Sequence, residues 1–223
     1  MRLADPSRIG SIRVGDRTFP VAMDLEAALD ASHATGPRFL DGLGYLLRSD
    51  RKRSRLTFLQ PYDPAKIPIV LIHGLISTPR MWAPVVKGLM AVPEIRERYQ
   101  FWFFYYPTGQ PIPLSALQLR DALDEALLAH QVKPSLILIG HSMGGILARA
   151  QVSRSTPEAA DEILPNVSKL SVDRTVRRSL IFEPRTDVQR LIFICTPHRG
   201  SRLATSGIAG LGILLIHLPG WIA

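Results

Sequence analysis

The sequence predicts an α/β fold in which a mostly parallel sheet carries helices on both faces. Two observations lead there. From Leu56 onward, short apolar runs alternate with longer segments of helical periodicity. A Gly-x-Ser-x-Gly pattern at residues 140–144 also sits directly between one such run and one such helix. The 223 residues, 46% of them apolar, suffice for one domain with a sizeable core and are short for two.

Residues 1–53 read as an N-terminal extension packing on the core. Strand-like pieces fall at Ile12–Val14 and Thr18–Val21, and a helical stretch runs from Asp24 to about Ala31 before the break at Gly36-Pro37. The core, 54–223, opens with a strand at Leu56–Leu59, closed by Pro61, Asp63 and Pro64. Ile69–Ile72 is apolar on both faces, as a central parallel strand should be. Phe101–Tyr106 is a third, aromatic strand stopped by Pro107; Leu136–Ile139 and Leu191–Ile194 are the fourth and fifth.

The segments between these strands have the lengths of crossover helices. Pro79 to about Ala91 places Trp82, Val85, Val86 and Leu89 on one face. Leu114 to about His130 buries Leu119, Leu123, Ala126 and Leu127 and turns Arg120, Asp124 and Glu125 to water, with Arg120 and Asp124 as an i,i+4 pair. Gly144 to about Val152 is the third. Residues 155–188 are a polar, proline-interrupted insertion with a short helix, placed over the sheet edge or near the site mouth. Gly207–Ala223 is strongly apolar but broken by His217, Pro219 and glycines, so it reads as a buried or lid-type helix, with peripheral membrane contact as the alternative.

The net charge of +8 is mostly scattered, with clusters only at Arg48–Arg55 and Arg174–Arg178. No glycine-aromatic RNA-binding pattern or zinc-ligand spacing accompanies the first cluster, so it reads as a solvated basic face rather than a nucleic-acid site. The single cysteine, Cys195, excludes an intrachain disulfide and reads as a buried strand-end residue. The stretch Met1–Pro6 lacks the apolar core of a signal peptide, which gives a cytoplasmic expectation.

The chemistry concentrates at Gly140-His141-Ser142-Met143-Gly144-Gly145. A serine raised on a strained strand-to-helix turn needs Gly140 and Gly144 beside it, because the chain doubles back closely there. The turn puts Ser142 at a helix N-terminus, where the Met143 N–H is a half-donor to developing negative charge. No lysine follows the glycines and no third glycine has dinucleotide spacing, which excludes phosphate-loop and Rossmann readings. His73, on the residues alone, is a strand-end imidazole that is structural as easily as it is a general base. His73, His141 and His198 lack metal-ligand spacing, and no metal or cofactor is expected.

Ile72-His73-Gly74-Leu75 resembles the His-Gly oxyanion loop of α/β-hydrolase lipases and esterases. Cys195-Thr196-Pro197-His198-Arg199-Gly200-Ser201 is similar to the Thr-Pro-His-x-Gly-Ser segment after the sixth strand in a lipase group that includes GPI inositol-deacylase-like and bacterial triacylglycerol-lipase-like proteins. The run Phe101–Gly109 resembles bacterial hydrolases of the same kind. These matches extend from about Leu56 to Leu218. They imply an α/β-hydrolase fold with Ser142 as nucleophile, the Leu75 and Met143 N–H groups as oxyanion hole, and His73 ordering its loop. His198 falls in a structural loop near the site and is the weaker candidate for the base.

In such enzymes the chain order is nucleophile, acid, histidine, with the acid after the seventh strand and the histidine after the eighth. Neither is visible after Ser142, so the expectation is a fold truncated after its sixth strand. Two readings follow: a serine esterase or lipase taking apolar acyl groups against Leu75, Ile76, Met81, Trp82 and the apolar tail, or a catalytically incomplete fragment or binding protein that a second polypeptide or self-association completes. Amidase, thioesterase and acyltransferase chemistry use the same frame.

Overall fold

The computed structural model describes residues 11–20, 54–131, 135–167 and 173–200. Ser11–Val14 (β1) and Arg17–Pro20 (β2) form an antiparallel hairpin of their own. Gly15 takes φ +61 at its two-residue turn, the left-handed conformation that such a hairpin demands. The two strand-like pieces expected here are therefore strands; the helix expected at 24–31 lies outside the described residues.

The remaining strands are Arg55–Phe58 (β3), Ile67–Ile72 (β4), Tyr99–Tyr105 (β5), Leu136–His141 (β6) and Val188–Ile194 (β7). They form one sheet in the order β3-β5-β4-β6-β7, with β3 antiparallel to β5 and the others mutually parallel. β4 lies at its centre, and Val70, Leu71 and Ile72 are buried on both faces, as the unbroken apolar run requires. The helices are Ala83–Met90 (α1, preceded by a 3-10 turn at Pro79–Trp82), Pro93–Arg98 (α2), Ile112–His130 (α3), Met143–Val152 (α4), Pro157–Ile163 (α5) and Arg174–Leu180 (α6).

The sheet divides two apolar clusters. On one side Val70, Ile72, Trp102, Phe104 and Leu138 pack with Leu119, Leu123 and Ala126 of α3 and Leu147 and Ala148 of α4. On the other, Leu71, Phe101, Phe103 and Ile139 pack with Trp82, Ala83, Val86 and Met90. Strand β5 supplies aromatic rings to both, and Trp102 stacks on Phe58 with ring centroids 4.3 Å apart. Its one polar member, Gln100, is buried but satisfied. Its amide donates to the carbonyls of Asp63 and Lys66 and its oxygen accepts from Asp63 N–H, which fixes the turn leading into β4.

Several expectations about the helices need correction. Val85 is exposed, because α1 rotates Trp82, Val86 and Met90 inward instead. Asp124 does not pair with Arg120; it accepts from Arg185, whose guanidinium also grips Asp187 and the Arg120 carbonyl. Arg120 itself reaches the Ala150 carbonyl and lies 4.3 Å from the Phe182 ring centroid, so it bridges helices rather than facing water. Burial opposes the Arg185 charge, but its bonds to Asp187 and Asp124 outweigh that and hold it above its ordinary value.

The insertion carries two short helices, not one, and its two ends lie away from the site mouth. Ser155 and Phe182 close its base by an antiparallel bridge, and Arg178 pairs with Asp121 of α3. Chain direction places its entry after α4 and its exit before β7, at the end of the sheet opposite the C-terminal ends of the parallel strands. Cys195 is exposed rather than buried, since β7 forms the edge of the described sheet; Ile192, Phe193 and Ile194 on the same edge are exposed as well. Strand β7 is present over all seven of its residues. The apolar helix expected at 207–223 lies outside the described residues, and with it the idea that the sheet stops there. Among the described residues, no helix is long and apolar enough to cross a membrane.

Two stability measurements test this packing. Trp102→Ala should destabilise the chain by about 3–5 kcal/mol in urea unfolding, as a buried ring gives way to a cavity. Arg185→Ala should cost on the order of 3 kcal/mol by stranding the largely buried Asp187 carboxylate, and Asp187→Asn in the same background should recover part of it.

Candidate active site

Strand β6 ends at His141 and α4 begins at Met143, leaving Ser142 alone on the turn at φ +51, ψ −123. A serine in that conformation costs about 1–3 kcal/mol and persists only where the surroundings fix it. Here the Ser142 N–H donates to the Ile194 carbonyl of β7 at 2.9 Å, and the Ser142 carbonyl accepts from Gly145 N–H at 3.0 Å. Ser142 is the capping residue of α4, yet its side chain makes no capping bond, so Oγ is not spent on the helix.

The turn closes only because side chains are missing from it. A Cβ on Gly140 would lie 2.4 Å from Gly145 Cα, and one on Gly144 would lie 2.3 Å from the Ile72 carbonyl oxygen and 2.4 Å from that of His73. The start of α4 is thereby laid against the end of β4. Gly74 belongs to the same crossing, its Cβ position lying 3.0 Å from both His141 Nδ1 and Ser142 Cβ. The loops after β4, β6 and β7 thus converge at the C-terminal edge of the sheet, where open α/β sheets bind ligands.

The loop after β4 is held from beneath. His73 is buried, its ring stacks on Tyr106 at 4.5 Å, and the Tyr106 hydroxyl donates to the His73 carbonyl at 2.8 Å. Tyr106 N–H lies 3.5 Å from His73 Nε2 and His73 Nδ1 lies 3.0 Å from the Gly74 carbonyl, which together describe an imidazole protonated on Nδ1. Burial pushes the Tyr106 phenol well above the usual tyrosine range, so it remains a donor. Beyond Gly74, Leu75 and Ile76 are both exposed; Ile76 has φ +51, rare for a β-branched residue, and donates its N–H to Thr108 Oγ1 at 3.4 Å.

Of the remaining sequence-derived candidates, His141 is half-buried, and its Nδ1 has no hydrogen-bond partner among the described residues. His198 is exposed after β7, and its ring meets Phe193 edge-on at 4.5 Å. No hydrogen bond joins the His198 ring to Ser142 among the described residues. Trp82 does not reach the site surface; it is buried under the sheet with Val86 and Met90. Among the described residues, the loops at this end (73–82, 106–111, 141–145 and 195–200) carry Arg80 and Arg199 and no carboxylate. No group of three His, Cys, Asp or Glu there could hold a metal ion.

Sequence reasoning missed Tyr106, Thr108 and Thr196. The first two lie in the Tyr-Pro-Thr-Gly end of the aromatic strand, a segment noted for its resemblance but given no role; the third lies in the quoted segment after β7.

Two solved structures similar to the chain are those of Bacillus licheniformis lipase BlEst2. The mature form is 23% identical, with a TM-score of 0.43 over 74% of this chain and 57% of that one. The propeptide form is 22% identical, with a TM-score of 0.41 over 73% of this chain and 30% of that one. The chain therefore spans less than two thirds of either. No curated protein sequence matches it. A family model described as the alpha/beta hydrolase family matches residues 69–223, from the central strand through the serine turn and onward, and the chain belongs to that family.

Proposed function

We propose that the protein is a serine hydrolase of carboxylic esters, lipase- or esterase-like, acting through an acyl-enzyme on Ser142. The observation that carries this reading is the Ser142 turn, with φ +51, a side chain not used for capping, and α4 beginning one residue later. Ser142 Oγ attacks the ester carbonyl as its proton passes to a base, and the carbonyl oxygen becomes an oxyanion facing the N–H groups of Met143 and Leu75. The alcohol leaves with a proton, and water then releases the acid and regenerates the serine.

His73 orders its loop in this scheme, with both ring nitrogens already facing backbone partners. His198 is the base candidate kept from the sequence, at the end of β7 that also accepts from Ser142 N–H. The exposed Leu75 and Ile76 favour an apolar acyl group.

A second reading has its own support: the exposed apolar edge at Ile192, Phe193 and Ile194 is a surface that a second polypeptide or a second copy could cover, completing a site unfinished in one chain.

Fluorophosphonate labelling of the purified chain, read by intact mass and peptide mapping, tests the first reading. One adduct on Ser142, lost in Ser142→Ala together with hydrolysis of p-nitrophenyl acyl esters, is expected. Ester hydrolysis that survives Ser142→Ala sinks it, and an unlabelled, folded wild-type chain turns attention to the completed-site reading. Gly144→Ala is expected to cut the labelling rate by roughly 10²-fold, since its Cβ must displace the Ile72 and His73 carbonyls and a misplacement of about 1 Å is enough for such a loss.

A further inference from the structure

We propose that Thr196 is a positioning residue that holds the Ser142 turn from the β7 side. The kinetic consequence rests on the ester-hydrolase reading above, whereas the structural one does not. Cys195, at φ +50, turns the chain back at the end of β7 and carries the Thr196 side chain onto the junction of β6 and α4. There Thr196 Oγ1 donates to the Gly140 carbonyl at 3.5 Å, two residues before the serine. The same side chain fills the space above Gly145, three residues after it. A Cβ on Gly145 would lie 1.9 Å from Thr196 Oγ1, 2.7 Å from Cγ2 and 2.8 Å from Cβ.

Together with the bond from Ser142 N–H to the Ile194 carbonyl, the end of β7 touches the turn before, at and after the serine. Backbone in a disfavoured conformation relaxes when its restraints are removed. Relaxation here rotates Ser142 Oγ relative to the Met143 N–H, and the two must act on the same carbonyl group. Thr196 thus sets the geometry of attack without touching substrate. Its hydroxyl bonds the Gly140 carbonyl and, together with its methyl, packs on the open face of Gly145.

The test uses Thr196→Ser, Thr196→Val and Thr196→Ala in the full chain. Three quantities are read: the limiting rate and half-saturation of fluorophosphonate acylation at Ser142, the thermal midpoint, and backbone amide exchange across residues 139–147. Thr196→Val keeps the shape and removes the hydroxyl. It should lower the limiting acylation rate by roughly 10- to 100-fold at nearly unchanged half-saturation and thermal midpoint, and speed exchange at 140–146. Thr196→Ser keeps the hydroxyl and should stay within about threefold of wild type, with Thr196→Ala the most impaired of the three.

The proposal is overturned by a Val variant that matches wild type in acylation and exchange, or by a Ser variant as impaired as Ala. A wild-type chain that takes no label defeats the hydrolase reading alone. Exchange then decides the role of Thr196: faster exchange in Val than in Ser upholds it, and equal exchange ends it.

Discussion

The feature on which the site depends is a crossing of main chains that leaves no room for side chains. The first turn of α4 lies so close to β4 that a methyl group on Gly144 would overlap the Ile72 and His73 carbonyls, and β6 passes so close to the same turn that one on Gly140 would overlap Gly145. Because the helix cannot back away without uncovering Leu147 and Ala148, which pack against the face of the sheet opposite Trp82, the chain between β6 and α4 must turn within one residue. That residue is Ser142, and its positive φ follows from the crossing. Core packing of α4 is thus the reservoir that holds an unfavourable serine conformation in place.

The aromatic strand beside β4 links that core to the site. Phe101, Trp102, Phe103 and Phe104 serve the two apolar clusters alternately, and the residue just after the strand is Tyr106, whose ring stacks on His73 and whose hydroxyl holds the His73 carbonyl. The His73 carbonyl is one of the two atoms against which Gly144 packs. A single short path therefore runs from the buried aromatic layer through Tyr106 and His73 to the start of α4. Away from the site, Arg185 with Asp187 and Asp124, and Arg178 with Asp121, tie the insertion to α3. Among the described residues, the loops around Ser142 carry no carboxylate.

Much of this was legible in the sequence, for local reasons. Unbroken apolar runs marked β4 and β6 as central strands, and Gly-x-Ser-x-Gly between strand and helix marked the turn, because both are set by the residues themselves and their immediate neighbours. What failed depended on juxtaposition. Cys195 follows an apolar run and so looked buried, but β7 is an edge in the described sheet and its apolar residues are exposed. Asp124 has Arg120 at helical spacing and still bonds Arg185, 61 residues away, because that guanidinium also needs Asp187. The sequence leaves the insertion either over the sheet edge or near the site mouth, and chain direction puts its two ends at the side of the sheet away from that mouth.

Thr196 shows the same limit from the opposite side. In the sequence it is one polar residue in a loop 56 positions beyond Gly140, and nothing local separates it from Ser201 or Thr205. Its partners are a glycine carbonyl and the empty face of another glycine, and a pattern of glycines states only that something must come close, not what does. Gly140 is emptied for the backbone of its own turn and Gly144 for the β4 carbonyls, both within the helix-strand crossing; Gly145 is emptied for a side chain from the next strand. The second glycine of the pair after Met143 therefore records a different contact from the first. The turn is set by three strand ends, β4, β6 and β7, of which the serine motif displays only the middle one.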